Sequence, residues 1–150
     1  MINEWAEEYF NLSFNIHKNG KFLIQNELNE LTYDQVNTLR YIYQKQSITS
    51  TELAQWLNVN KSAISALLNR LDEKELIKRD RSDQDRRIVH LSLTNKGTQL
   101  FEDCYQKINL LVQDLIGSFD EEELCQYMKT FKKIDQLLEG KIKQMKGVAK

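Results

Sequence analysis

Asn60–Thr94, NKSAISALLNRLDEKELIKRDRSDQDRRIVHLSLT, is the stretch whose reading decides the fold. Its first third is helical in pattern. Ile64, Leu67, Leu68 and Leu71 fall at i, i+3, i+4 and i+7, a single apolar stripe of the helical period, and Asn60 is placed to cap it. After Glu75 the period changes. Leu76-Ile-Lys-Arg79 and Val89-His-Leu-Ser-Leu93 read as two short strands, with Val89, Leu91 and Leu93 turned inward in period two. The polar knot Arg81-Ser-Asp-Gln-Asp-Arg-Arg87 joins them into a hairpin.

At about 100° per residue, the helix face opposite the apolar stripe carries Ser62, Ser65, Ala66 and Asn69, flanked by Lys61 and Arg70. An ordinary solvated face holds more Glu and Lys. Small polar residues let a helix backbone come close to base edges, while flanking cations meet phosphates.

Outward from this stretch, capping signatures mark the other helices. Thr32-Tyr-Asp-Gln35 and Thr49-Ser-Thr-Glu52 have capping-box spacing. The first opens a helix to about Gln44 that buries Val36, Leu39 and Ile42 or Tyr43. The second opens a short one with Leu53, Ala54 and Leu57 inward. Upstream, Trp5, Tyr9, Leu12 and Ile16 form a helical stripe that continues less cleanly through Leu23, Ile24 and Leu28. Gly20 either weakens this helix by about 1 kcal/mol or breaks it. Downstream, Thr94 can cap a helix carrying Leu100, Cys104, Ile108, Leu111 and Leu115. Asp120-Glu-Glu-Glu123 opens a last one with Leu124, Met128, Phe131, Leu138, Ile142 and Met145. The order is helix, helix, helix-turn-helix, hairpin, helix, helix: a mainly α protein with a small β-hairpin.

Composition agrees. With no proline and only five glycines in 150 residues, nothing opposes long helices. The length suits one domain with a real core. The acidic start MINEWAEEYF is unlike a signal peptide, and no apolar run approaches the ~20 residues of a membrane span. A cytoplasmic protein is expected. Net charge is −1, but residues 61–96 hold nine basic and six acidic side chains, a basic segment on an acidic body. Cys104 and Cys125 lack CxxC spacing, and with two distant histidines they form no zinc site, so neither metal nor cofactor is expected. They read as reduced thiols, with oxidant sensing as the alternative. No G-x-S-x-G, P-loop, H-E-x-x-H or Cys–His arrangement is present, and the chain does not read as an enzyme.

Leu31-Thr32, Glu52-Leu-Ala54, Leu57 through Ser65, Asn69-Arg-Leu71, Leu76-Ile77 and Arg79 together resemble a winged helix-turn-helix. Asp85-Arg-Arg87, followed after five residues by Leu93-Thr-Asn-Lys-Gly97, resembles the wing motif of the MarR family of bacterial transcription regulators. The resemblance covers residues 30–100 in motif and the whole chain in length and order. It implies one domain, 1–150, with a winged helix-turn-helix at about 30–100 and dimerisation helices at about 1–28 and 100–145. It further implies a homodimer that binds double-stranded operator DNA of pseudo-palindromic sequence, as a repressor of nearby genes released by a small-molecule effector.

Carried over by position, residues 61–73 would be the recognition helix. Lys61, Ser62, Ser65, Asn69 and Arg70 would face the major groove and its phosphates, with Asn60 beside them. Arg86 would probe the minor groove or backbone from the wing tip. Asp85 and Arg87 would brace the wing, Arg87 also touching DNA. Many members carry a basic residue where this chain has Ala66, and glycine where it has Glu75, so the helix is expected to end less sharply here. Two further features stand beside the motif. His17, among Phe10, Phe14 and Phe22, either lines an effector pocket or is a partly exposed structural histidine. Trp56, turned away from Leu53, Ala54 and Leu57, calls for packing against a neighbouring helix, a partner or an effector. The contrasting reading of the whole is a winged-helix module that binds protein and not operator DNA.

Overall fold

The elements follow in the order α1 (Ile2–Glu27), α2 (Tyr33–Lys45), β1 (Ile48–Thr49), α3 (Ser50–Leu57), α4 (Lys61–Glu73), β2 (Ile77–Arg81), β3 (Val89–Leu93), α5 (Asn95–Ile116) and α6 (Glu121–Val148). The computed structural model describes residues 1–28, 30–82, 85 and 88–148. The chain divides into two compact units, Met1–Asn109 and Leu110–Lys150.

In the first unit the capping boxes start the helices where the spacing places them. The Thr32 hydroxyl accepts from the Gln35 amide at 3.3 Å, and Gln35 Oε1 accepts from the Thr32 amide at 3.0 Å. Thr49 and Glu52 repeat the device at 3.2 and 2.8 Å. These reciprocal bonds satisfy amides that a helix start leaves without partners. The core is apolar: Leu39, Ile42, Leu53, Leu71, Leu76 and Leu91, from four elements and one connection, are all fully buried. Each contributes about 1.5–3 kcal/mol through burial.

The sheet is antiparallel in the order β1-β3-β2, with Leu91 at its centre, opposite Ile48 on one side and Arg79 on the other. The hairpin is the one expected. The third strand is not: β1 has only two residues, too few to show a period. Pairing with β3 ties the start of α3 to the wing. α1 is a single helix through Gly20, which has nothing within 4 Å of where a Cβ would sit. Its Leu28 end is buried and Ile24 is half-buried, whereas Trp5 and Ile16 are 66% and 64% exposed.

In the second unit, Asp120 and Glu123 cap α6 reciprocally at 2.9 and 3.0 Å. Phe119, Tyr127 and Phe131 stack in series, with centroids 6.4 and 5.4 Å apart. Met128, Leu138 and Met145 are exposed. Among the described residues, no helix is long and apolar enough to cross a membrane.

Candidate nucleic-acid interface

α4 is held by its ends and one face. Asn58 adopts the left-handed conformation (φ 53°, ψ 38°) that an Asn tolerates, and so turns the chain between α3 and α4. Asn60 Oδ1 accepts from the Ala63 amide at 2.8 Å. Ile64, Leu68 and Leu71 are buried and Leu67 half-buried. Lys61, Ser62, Ser65, Ala66, Asn69 and Arg70 are all exposed. The structure thus brings the α4 candidates onto one open face. Ser65 donates its hydroxyl to the Lys61 carbonyl at 2.8 Å. No acidic residue stands in the first turn of α4, so the positive end of the helix dipole adjoins Lys61 with no carboxylate from that turn to offset it. Beside it lies a cleft of about 600 Å³, walled by Thr49, Ser50, Thr51, Lys61, Ser65 and Ile88 among others.

The far end of α4 corrects one expectation. Glu75 takes φ 60°, the conformation that a glycine would adopt without strain. Its amide donates to the Asp72 carbonyl at 2.8 Å, and the Leu76 amide to the Leu71 carbonyl at 3.0 Å. These are the two bonds of a Schellman ending, so the helix stops as sharply as with glycine. Glu75 bears a local strain of about 1–2 kcal/mol. The surroundings hold it: Thr94 Oγ1 donates to the Glu75 carbonyl at 2.7 Å, and Lys96 pairs with its carboxylate at 3.3 Å.

Thr94 does more than cap α5. Its amide donates to the Leu76 carbonyl at 3.1 Å, and its hydroxyl oxygen accepts from the Gly97 amide at 2.9 Å. The first turn of α5 is thereby drawn against residue 76, and a Cβ on Gly97 would lie 1.9 Å from the Leu76 carbonyl oxygen. This is the physical reason for a glycine in the L-T-x-x-G run.

Arg79 of β2 reaches back across α4. Its Nη2 donates to Asn69 Oδ1 at 2.8 Å, and its Nε pairs with Asp72 Oδ2 at 3.2 Å. Neither this brace nor the bond from the Thr94 amide to Leu76 is visible in the sequence, because both join different elements, over seven to eighteen residues, and depend on tertiary placement. On the wing, the Asp85 amide donates to Ser82 Oγ at 3.4 Å, and the Ile88 amide to the Asp85 carbonyl at 2.9 Å. Arg86 and Arg87, the expected wing-tip and bracing arginines, lie outside the described residues.

Other singled-out residues fall as follows. Trp56 stacks on Tyr41 with centroids 4.0 Å apart and planes 11° apart, the neighbour its outward position called for. Phe10, Phe14 and His17 share one side of α1 and are exposed, with Lys18 Nζ 5.7 Å above the Phe14 ring. Cys104 is buried, and burial pushes its thiol above the ordinary value, which disfavours the reactive thiolate; Cys125 is exposed. The Glu102 carboxylate accepts from the Tyr43 hydroxyl at 3.1 Å and raises its pKa.

The model of the MarR family matches residues 31–89. The HTH-type transcriptional repressor MdtR of Bacillus subtilis (strain 168) is 30% identical over 114 residues, 76% of this chain and 74% of that protein. The chain belongs to the MarR family. It is a MarR-family transcription regulator with a winged-helix fold. Among solved structures, a mutant MarR from E. coli complexed with operator DNA is similar at TM-score 0.78 and 26% identity, over 89% of this chain and 97% of that one. The S. aureus MepR–DNA complex is similar at TM-score 0.78 and 28% identity, over 85% of this chain and 96% of that one. For a MarR-family chain, Thr94, Gly97 and Glu75 are then the parts that fix the wing and α5 against the end of α4.

Proposed function

We propose that the chain is a homodimeric repressor that binds a pseudo-palindromic operator near its own gene through α4 and the wing, and that a small-molecule effector releases it. The observation that carries this reading is the face of α4. Lys61, Ser62, Ser65, Asn69 and Arg70 are exposed together, opposite a buried stripe, on a helix whose first turn holds no acidic residue. Small polar groups there can reach base edges, and the lysine and arginine can reach phosphates. The cleft between α3, α4 and the wing is a seat for sugar-phosphate backbone, with Thr49, Ser50 and Thr51 supplying hydroxyls. Arg86 and Arg87 are assigned to DNA at the wing tip, and Asp85 with Arg87 to bracing it, on the motif they occupy. The two structural relatives described above were solved with DNA, which supports the same partner here.

A dimer is supported by surface chemistry. α1 exposes Trp5, Tyr9, Leu12 and Ile16 along one stripe, and α6 exposes Phe131, Leu138, Ile142 and Met145. Apolar patches of that extent are uncommon on monomers. Two copies presenting recognition helices ~34 Å apart would read neighbouring major grooves. Release by an effector follows the family habit, with Phe10, Phe14 and His17 as the candidate contacts once a second copy adjoins α1.

A gel shift with the DNA upstream of the chain's own gene tests the proposal. Wild type is expected to shift it, and Arg86→Ala with Arg87→Ala, or Lys61→Ala with Arg70→Ala, to weaken the shift at least ~10-fold. Unchanged binding by the wing variant would remove the wing arginines from the site. No shift by the wild type would favour a winged-helix module that binds protein.

A further inference from the structure

We infer that Arg79 is a positioning residue that sets which base Asn69 reads, turning it from an adenine reader into a guanine reader. This rests on α4 being the recognition helix. Arginine carries only donors, so the Asn69 atom 2.8 Å from Arg79 Nη2 is the amide oxygen, and the orientation of the amide follows from partner chemistry. Arg79 is itself fixed, because its Nε pairs with Asp72 Oδ2 at 3.2 Å, one helical turn further along α4. One guanidinium from β2 therefore spans residues 69 and 72 of the same helix face.

The consequence is chemical. A free Asn side chain recognises adenine by accepting from N6 and donating to N7, using both ends of its amide. Here the accepting end is held by a cation, which also repels the approach of a further donor. The Nδ2 group is left, with two hydrogens that no described residue takes up. A group that only donates matches two acceptors side by side in the major groove, and guanine presents these at N7 and O6. Asn69 with Arg79 thus prefers guanine, and Asn69 alone prefers adenine.

The experiment is a selection from a random double-stranded DNA library with purified full-length protein, comparing wild type, Asn69→Ala and Arg79→Met. In the wild type, one position in each half-site should favour guanine about 5- to 150-fold, the range of a single good base contact. Asn69→Ala should lose preference at that position only. Arg79→Met should switch it to adenine. Melting curves check that each variant folds, and Arg79→Leu repeats the test should the methionine variant not fold. An Arg79 variant that keeps guanine, with affinity alone reduced, would make the arginine merely structural and overturn the inference. Retention of every preference by Asn69→Ala would also overturn it. In both of those cases the wild type still enriches a sequence, so operator binding stands. A wild type that enriches nothing defeats the operator reading together with this one.

Discussion

Replacing Gly97 by alanine should destabilise the protein by about 2–4 kcal/mol, although alanine is the better helix former. The added Cβ would sit 1.9 Å from the Leu76 carbonyl oxygen and 2.8 Å from its carbonyl carbon. Ordinary contact demands roughly 1.5 Å more separation from the oxygen, and that oxygen is not free to move: it accepts from the Thr94 amide at 3.1 Å, while Thr94 Oγ1 donates to the adjoining Glu75 carbonyl at 2.7 Å. Opening the gap stretches both hydrogen bonds, each worth about 1 kcal/mol. Overpacking adds ~1–3 kcal/mol. The helix propensity of alanine returns at most ~1 kcal/mol. For a domain of this size the melting temperature should fall by about 4–16 °C. Thermal unfolding followed by circular dichroism, at one fixed protein concentration because the melting of the proposed dimer would depend on it, gives the number. Gly20→Ala is the control. It meets nothing within 4 Å and should melt at or slightly above wild type. A Gly97→Ala protein that melts with Gly20→Ala would refute the reasoning.

Other outcomes follow from the same geometry. Glu75→Gly should stabilise by up to about 1 kcal/mol, since relief of the positive φ outweighs the added freedom of the unfolded chain and the loss of an exposed pair with Lys96; a loss above ~1 kcal/mol in urea unfolding would contradict the strain. Among the thiols, Cys125 should react promptly with a thiol reagent near pH ~8, while Cys104 reacts only as the chain unfolds. Glu52 accepts from the Thr49 amide and hydroxyl, which lowers its pKa. A lowered folded-state value contributes stability above the unfolded value and loses it as pH falls through the folded one. The gap in melting temperature between wild type and Glu52→Ala should accordingly shrink as pH is taken below ~4. Lys61→Ala should reduce the salt dependence of DNA binding, the slope of log K against log salt, by about 0.9 for each copy and so ~1.8 for the proposed dimer.

Local devices were legible and long-range ones were not. Thr32 with Gln35, Thr49 with Glu52, Asn60, and Asp120 with Glu123 all cap helices, because a cap is decided within four residues. The stripes of α2 and α4 named their buried faces. Those of α1 and α6 named a face without its partner: Trp5 and Leu138 have the right period yet are exposed, since periodicity reports a surface and not what covers it. On α5, Phe101 is buried, as Cys104 is, although it lies off the expected stripe, and it packs tilted against Tyr43 and stacked on Tyr105. Of the interface, the exposed side of α4 followed from angular spacing. The Arg79 brace on Asn69 and Asp72, the crowding at Gly97 and the φ of Glu75 depend on where β2 and α5 lie against α4, and no spacing rule contains that.

The central claim, a dimer reading DNA through α4, is met most directly by footprinting the DNA upstream of the gene with the purified chain. Two protected half-sites with centres about one helical turn, ~34 Å, apart, both lost in Lys61→Ala with Arg70→Ala, are expected. Uniform cleavage with wild type, or protection that survives the α4 variant unchanged, would contradict it.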